Sequence, residues 1–339
     1  MTADLLLALA RCNLAAGAAI LAVLALRAPL RRWFGAGRAY AAWLIVPLAA
    51  AGSLMPAELA SGAAGPIEAS NDHAQAWLSA GDHAGALTLV WLCGALVAIA
   101  VAAWRHGRFC AAVRAGRAGP AAVGVIQPRL VMPADFAQRF SDDERRLVRA
   151  HELAHIERLD ARYNTAAALA TWVCWFNPLL HLGVRAMRLD QELACDATVV
   201  GRLPAARRLY AETLLRTHPA AVTPVLGCQW SSRAHPLEAR IRMLAARMPS
   251  QARRDLGLAL LAAAWASAFG TAWAMQPPAR AIEGPTVILV ELAPPDETDA
   301  ALDAAVYREV EGNHSASTAR SASRVADTPA ERPVLAKAP

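Results

Sequence analysis

Two histidines four residues apart with a glutamate after the first, His151, Glu152 and His155 in "RAHELAHIERLD", are the residues of this chain best suited to hold a metal ion. On a helix, positions i and i+4 share a face, so both imidazoles can bind one ion. Glu152 borders the same face and can take a proton from a water that the metal polarises. Zinc fits this set, because it accepts nitrogen and oxygen donors and leaves one position open for water. The alternative is an exposed polar face on a charged helix.

Hydrolytic zinc needs a third protein ligand. "RLDQELACDATVV" (Arg188–Val200) offers Glu192, with Asp196 one helical turn further on the same face. Glu192 is the candidate ligand, and Asp196 the candidate acceptor for the outer N–H of a ligand histidine. The alternative, two acids on a solvated surface, fits poorly with the small and apolar "ELACDATVV" around them. His181 reads as a packed or interfacial residue, and Cys195 as small enough to let two helices approach.

Several elements must position these groups. Ser141-Asp-Asp-Glu144 is a capping box, so a helix is predicted to begin at Asp142 and carry the motif. A further helix is predicted from about Leu179 to Val200. "TAAALATWVCWF" (Thr165–Phe176) is apolar but too short to span a bilayer, and is predicted as a buried helix dipping toward it. "AAVGVIQPRLVMP" (Ala121–Pro133) is predicted as a short strand or hairpin.

Around this block the chain is 56% hydrophobic, and the excess falls in four runs at about Leu5–Leu26, Tyr40–Met55, Ala86–Trp104 and Leu256–Trp273. Each approaches the ~20 residues that cross a bilayer, although Pro47 interrupts the second. The first run lacks the basic start of a signal peptide and reads as a retained helix. Arg27, Arg31, Arg32 and Arg38 follow run one, and Arg105, Arg108, Arg114 and Arg117 follow run three. Arg247, Arg253 and Arg254 precede run four, while the connection between runs two and three holds Glu58, Glu68, Asp72 and Asp82 and no lysine or arginine. The positive-inside rule then places the N-terminus outside, residues 105–255 in the cytoplasm and the tail outside, in a plasma-type inner membrane.

The expected architecture is therefore a mainly α membrane protein. Residues 1–104 carry three transmembrane helices, 105–255 form a helical zinc peptidase domain with minor β, and 256–273 form the fourth span. Residues 274–339 read as a largely disordered extracytoplasmic tail, apart from a possible strand at Thr286–Leu292. The net charge of +6 comes almost entirely from arginines that flank apolar runs, which suits membrane orientation and argues against direct nucleic-acid binding. Six scattered cysteines without a C-x-x-C pair suggest neither a disulfide framework nor a cysteine zinc site.

The order "MPADF…SDDERRLVRAHELAHIERLD", then "WFNPLLHLGVRAMRLDQELACD", then a last apolar helix resembles the BlaR/MecR-type membrane metallopeptidases. The likeness covers roughly 1–275 in architecture and is specific over about 128–200. It implies a gluzincin-like zinc peptidase with one Zn2+ per chain, His151, His155 and Glu192 as ligands and Glu152 as base. It also implies cleavage of a cytoplasmic protein such as a transcriptional repressor in response to an external signal, and leaves a homodimer open. The family's antibiotic receptors carry a Ser-x-x-Lys nucleophile, whereas the only lysine here is Lys337, preceded three residues earlier by Val334. Covalent β-lactam binding by this chain is not expected. A housekeeping membrane protease of the HtpX kind and a non-catalytic transducer retaining zinc are the competing expectations.

Overall fold

The computed structural model describes residues 2–55, 73–78, 83–216, 228–229 and 237–276, with Cys228 and Gln229 described by their backbone alone. These elements belong to one compact unit, Met1–Arg280. The predicted strand at Thr286–Leu292, the tail beyond Gln276 and most of the acidic 56–85 connection lie outside the described residues.

The first helix, α1 (Thr2–Phe34), ends where Gly35 takes a φ of 96°, a conformation that favours glycine. There follow α2 (Ala36–Ala41), a 3-10 turn (Ala42–Leu44) and α3 (Ile45–Gly52). The second apolar run is thus helical but broken. Pro47 has no N–H for the Trp43 carbonyl and its ring crowds that oxygen, which accounts for the tightened backbone just before it. Next come α4 (His83–Arg114), β1 (Ala121–Val123), β2 (Arg129–Val131) and the short α5 (Phe136–Arg139). The motif helix α6 (Asp142–Glu157) leads to α7 (Asp160–Val173), α8 (Pro178–Arg202) and α9 (Arg207–Arg216). Finally β3 (Cys228–Gln229), α10 (Leu237–Ala245) and α11 (Gln251–Ala274) complete the described chain.

Among the described residues, three helices are long and apolar enough to cross a membrane: α1, α4 and α11. Side chains on α4 show what covers them, since Leu89, Val90, Leu96 and Val97 are each at least 60% exposed. So many exposed aliphatic groups on one helix suit hydrocarbon rather than water. The protein is a membrane protein, and among the described residues these three helices meet that length and composition, where the sequence predicts four spans. The broken run packs α3 between α1 and α11. A Cβ on Gly52 would lie 2.5 Å from the Phe269 carbonyl oxygen, so the two backbones touch there. Gly52→Val is expected to separate α3 from α11 and lower the thermal midpoint in detergent by several degrees. An unchanged midpoint would show that this contact is dispensable.

The capping box forms as predicted: Glu144 Oε2 accepts the Ser141 N–H at 2.9 Å, and Ser141 Oγ accepts the Glu144 N–H. Asn177 caps α8 by accepting from the N–H groups of Leu179 and Leu180, with Pro178 in the first turn. The predicted hairpin is present as antiparallel β1 and β2, and β3, which the sequence does not announce, pairs with the other edge of β1. One expectation is corrected at α7. Only Asp160, Asn164 and Ala168 of that helix are buried, while Leu169 and Val173 are exposed, so its apolar side is not covered by protein. Its end is tied to the membrane helices, with Trp91 of α4 donating to the Val173 carbonyl at 2.7 Å.

Apolar cores hold both ends of α8. Leu180, with Val184 and Met187 beside it, joins the membrane-side core of Ile20, Val23, Trp43 and Leu261. Val199 and Val200 join Leu147, Val148, Tyr210 and Leu244 in the second core. The helix carrying Glu192 and Asp196 is therefore held at both ends.

Candidate metal centre

Helix α6 stacks His151 and His155 one turn apart, and α8 brings Glu192 against them. The ring nitrogens His151 Nε2 and His155 Nε2 are 3.1 Å apart. Glu192 Oε2 lies 3.4 Å from the first, and Glu192 Oε1 lies 3.6 Å from the second. Donors on a tetrahedral zinc with bonds of about 2.0–2.1 Å stand about 3.3 Å from one another. Each imidazole nitrogen thus has one Glu192 oxygen at about that distance, and the three side chains could hold one metal ion.

The outer nitrogens are held by hydrogen-bond partners, so the inner nitrogens face each other across the site. His155 Nδ1–H donates to Asp160 Oδ2 at 2.7 Å. His151 Nδ1–H donates to the Tyr210 hydroxyl at 2.8 Å, and that hydroxyl donates to Asp196 Oδ1 at 2.6 Å. Asp196 therefore reaches His151 largely through Tyr210, its own oxygen standing 3.3 Å from Nδ1. Such outer partners fix tautomer and ring orientation. Asp160 reaches this position because Leu159, in the left-handed region at φ 59°, turns the chain sharply between α6 and α7. A leucine in that region is strained by roughly 1–2 kcal/mol, so the surrounding contacts must hold the turn.

Glu152 is fully buried, and among the described residues neither of its oxygens has a hydrogen-bond partner of good geometry. Burial pushes its carboxyl above the usual carboxylate range, with His155 and His151 opposing the rise. Glu192 goes the other way. Burial works against its charge, but Arg240 and the two imidazoles outweigh it and hold the carboxyl at about 2. His151 is pushed up to about 9, because Asp196 and Glu192 outweigh its burial. The two acids are thus pushed apart: one is kept ionised and the other resists ionisation, the pattern of a ligand beside a proton acceptor.

Arg240 of α10 is the principal charge that the sequence does not single out. It is 3% exposed, donates from Nε and Nη2 to Asp196 at 2.8 and 2.6 Å, and places Nη1 3.3 Å from Glu192 Oε2. Its position does carry a signal, since Leu237, Arg240, Ile241 and Leu244 follow helical spacing and put this arginine on the apolar face. Tyr210 hides as an ordinary core aromatic, and Asp160 as an acid in a first helical turn. His181 turns away to the Trp175 carbonyl and takes no part in the site. Cys195 does more than fill space, for its Sγ is 3.2 Å from His155 Nδ1.

Hydrogen bonds extend from this centre to the membrane segments. Tyr40 of α2 donates to Asp160 Oδ1 at 3.0 Å and accepts from Gln191 Nε2 at 2.9 Å. Asp190, fully buried, accepts from Trp43 Nε1 at 2.9 Å and pairs with Arg31 at 3.2 Å and Arg27 at 3.4 Å. Both residues preceding Glu192 are therefore anchored to the first membrane helix or the broken run after it. Asp160→Asn removes the charge that orients His155, and zinc affinity is expected to fall about 10–100-fold in competition with a chromophoric chelator. An unchanged affinity would mean that Asp160 only holds the turn.

The profile of the family described as BlaR1 peptidase M56 matches residues 7–119 and 111–244. Among curated proteins, the regulatory protein BlaR1 of Bacillus licheniformis is 36% identical over 98 residues, which is 29% of this chain and 16% of that protein. The methicillin resistance mecR1 protein of Staphylococcus aureus is 28% identical over 98 residues, 29% of this chain and 17% of that protein. The mecR1 protein of Staphylococcus epidermidis matches to the same extent. The matched stretch is a small fraction of the length of these relatives. No solved structure matches the chain.

Proposed function

The chain belongs to the BlaR1 peptidase M56 family, and from that membership we propose that it is a membrane-embedded zinc endopeptidase of the BlaR/MecR signal-transducing type. Its substrate is a cytoplasmic protein such as a transcriptional repressor. The observation that carries this reading is the convergence of His151 Nε2, His155 Nε2 and the Glu192 carboxylate beside a buried carboxylate, Glu152, that has no hydrogen-bond partner of good geometry among the described residues. Two nitrogens and a carboxylate oxygen are a donor set that zinc takes in hydrolytic sites. Bound there, zinc supplies a Lewis acid that polarises the scissile carbonyl and makes water acidic enough to be activated near neutral pH.

The remaining work falls to side chains of this chain. Glu152 takes the proton from the attacking water at one carboxylate oxygen and passes it on to the departing amine. Arg240 keeps Glu192 ionised, while Asp160 and the Tyr210–Asp196 pair hold both imidazoles with their inner nitrogens facing one point. His151, Glu152, His155 and Glu192 are all at most 4% exposed, with β1 and β3 packed against the helix that carries the first three. A protein substrate reaches these groups only after part of this cover moves, which favours a protease that awaits a signal over one that is constantly active.

In this reading the broken run at 36–52 is the fourth crossing, residues 105–255 form the cytoplasmic peptidase domain, and the N-terminus and the region beyond residue 273 lie on the far side. Support comes from Arg27 and Arg31, the basic end of α1, which pair with Asp190 of the peptidase block. The test is a comparison of new protein N-termini in cells expressing the wild-type chain or Glu152→Gln. A small set of termini that vanish in the variant is expected and would identify the substrate. Many membrane-protein fragments would favour a housekeeping protease, and identical profiles under every inducing condition would contradict catalysis.

A further inference from the structure

A cavity of about 410 Å³ opens between the end of α1 with the start of α2, the second half of α8, and the connection from α10 to α11. It is separate from the metal centre, whose histidines do not line it. Five arginines border it: Arg38, Arg202, Arg207, Arg247 and Arg254. No aspartate or glutamate does. Elsewhere arginines in this protein meet acids, as Arg27 and Arg31 meet Asp190 and Arg240 meets Asp196. Among the described residues only Arg202 of the five has a carboxylate partner, Glu157 at 2.6 Å. Arg38 Nε is spent on the Arg254 carbonyl at 2.9 Å, while Arg254 Nε is buried without a hydrogen-bond partner.

Guanidinium groups that border one cavity with few matching acids repel one another, and an anion offsets that repulsion. Arginine forks match phosphate oxygens in particular. The cavity is also amphipathic, since Phe34, Met243, Leu244 and Met248 supply apolar wall beside the charges. A free phosphate has no use for that wall, whereas the headgroup and glycerol region of a phospholipid does. Its position agrees. The cavity lies where α1 ends and α11 begins, and both are helices able to cross a membrane. Basic pockets between membrane helices on the cytoplasmic side suit anionic headgroups.

We propose that this cavity binds the phosphate-bearing headgroup of an anionic phospholipid. The occupant would rest against Ala194, Ala197 and Thr198, on the same helix as Glu192 and Asp196.

The test uses the purified full chain in detergent, delipidated and titrated with short-chain phosphatidylglycerol, phosphatidylcholine or inorganic phosphate. Bound lipid is counted by native mass spectrometry. Phosphatidylglycerol is expected to stay bound in preference to phosphatidylcholine, and inorganic phosphate at equal concentration is expected not to displace it. Arg207→Gln and Arg247→Gln should each weaken retention about fivefold. Arg242→Gln is the control, because Arg242 lies on α10 outside the cavity and is paired with Glu238. Equal retention of both lipids, or an equal loss with Arg242→Gln, would overturn the proposal in favour of general surface charge. Ready displacement by phosphate would overturn it in favour of a small soluble anion. No arm reads peptidase activity, so the outcome is independent of the catalytic proposal.

Discussion

Glu152→Gln is expected to lower peptide hydrolysis by about 10²–10⁴-fold, the range typical for loss of a positioned general base. Glutamine keeps the shape but cannot accept the proton from water at neutral pH. The three candidate ligands are untouched, so zinc binding should survive, which separates loss of the base from loss of the metal. A second effect runs in the opposite direction. Burial raises the Glu152 carboxyl above its ordinary range, so the folded protein holds that proton more tightly than the unfolded chain does. The resulting stability is fully present below the ordinary carboxylate pKa and is lost as pH rises through the raised folded value. In zinc-free protein, Glu152→Gln should therefore unfold at a higher temperature than wild type at neutral pH, and the gap should close in acid. Thermal unfolding in detergent with a chelator, followed across pH, checks this. An equal gap at every pH would mean that the carboxylate carries no burial penalty.

Arg240→Leu should be the most destabilising single change in the peptidase block. The side chain is 3% exposed and is the cation facing Asp196 and Glu192, both buried. Breaking a buried ion pair by removing one partner costs about 3–5 kcal/mol, because the remaining charge stays in a medium that solvates it poorly. Two carboxylates are stranded here, one of them a candidate ligand. Glu192 should then lose the main influence that keeps its carboxyl at about 2 and become easier to protonate. Added zinc should recover part of the stability, since a dication between Glu192 and the histidines replaces some of the lost positive charge. Arg242→Leu, on the exposed face of the same helix, should change stability by no more than about 0.5 kcal/mol. Matching midpoints for the two variants would show that Arg240 is not structurally required.

The local parts of this site can be read from the sequence because they depend on spacing along a helix. His151, Glu152 and His155 share one helix with a capping box at its start, and Glu192 and Asp196 lie one turn apart on another. Tyr210, Arg240 and Asp160 are different, because each matters through what it meets in space. Nothing in "RLYAETLL" says that the tyrosine hydroxyl will sit between a histidine and an aspartate. Arg240 differs from Arg242 only in its place on the apolar face. Pattern reading also loses force where hydrophobicity alone decides. The run from Tyr40 to Met55 has the composition of a span, but nothing in it says that its first residues bracket the peptidase helices through Tyr40 and Trp43. β3 is a two-residue strand paired with one edge of β1, too short to leave an alternating pattern in the sequence.

The account stands most directly on the claim that His151, His155 and Glu192 hold one ion beside Glu152. The decisive measurement is the zinc content of the purified chain by elemental analysis, for wild type, Glu152→Gln, His155→Ala and Glu192→Ala, each checked for folding. Wild type and Glu152→Gln should carry one zinc per chain, and the two ligand variants should carry almost none. Zinc-free wild type, or zinc kept equally by the ligand variants, would contradict the metal centre and with it the proposed peptidase.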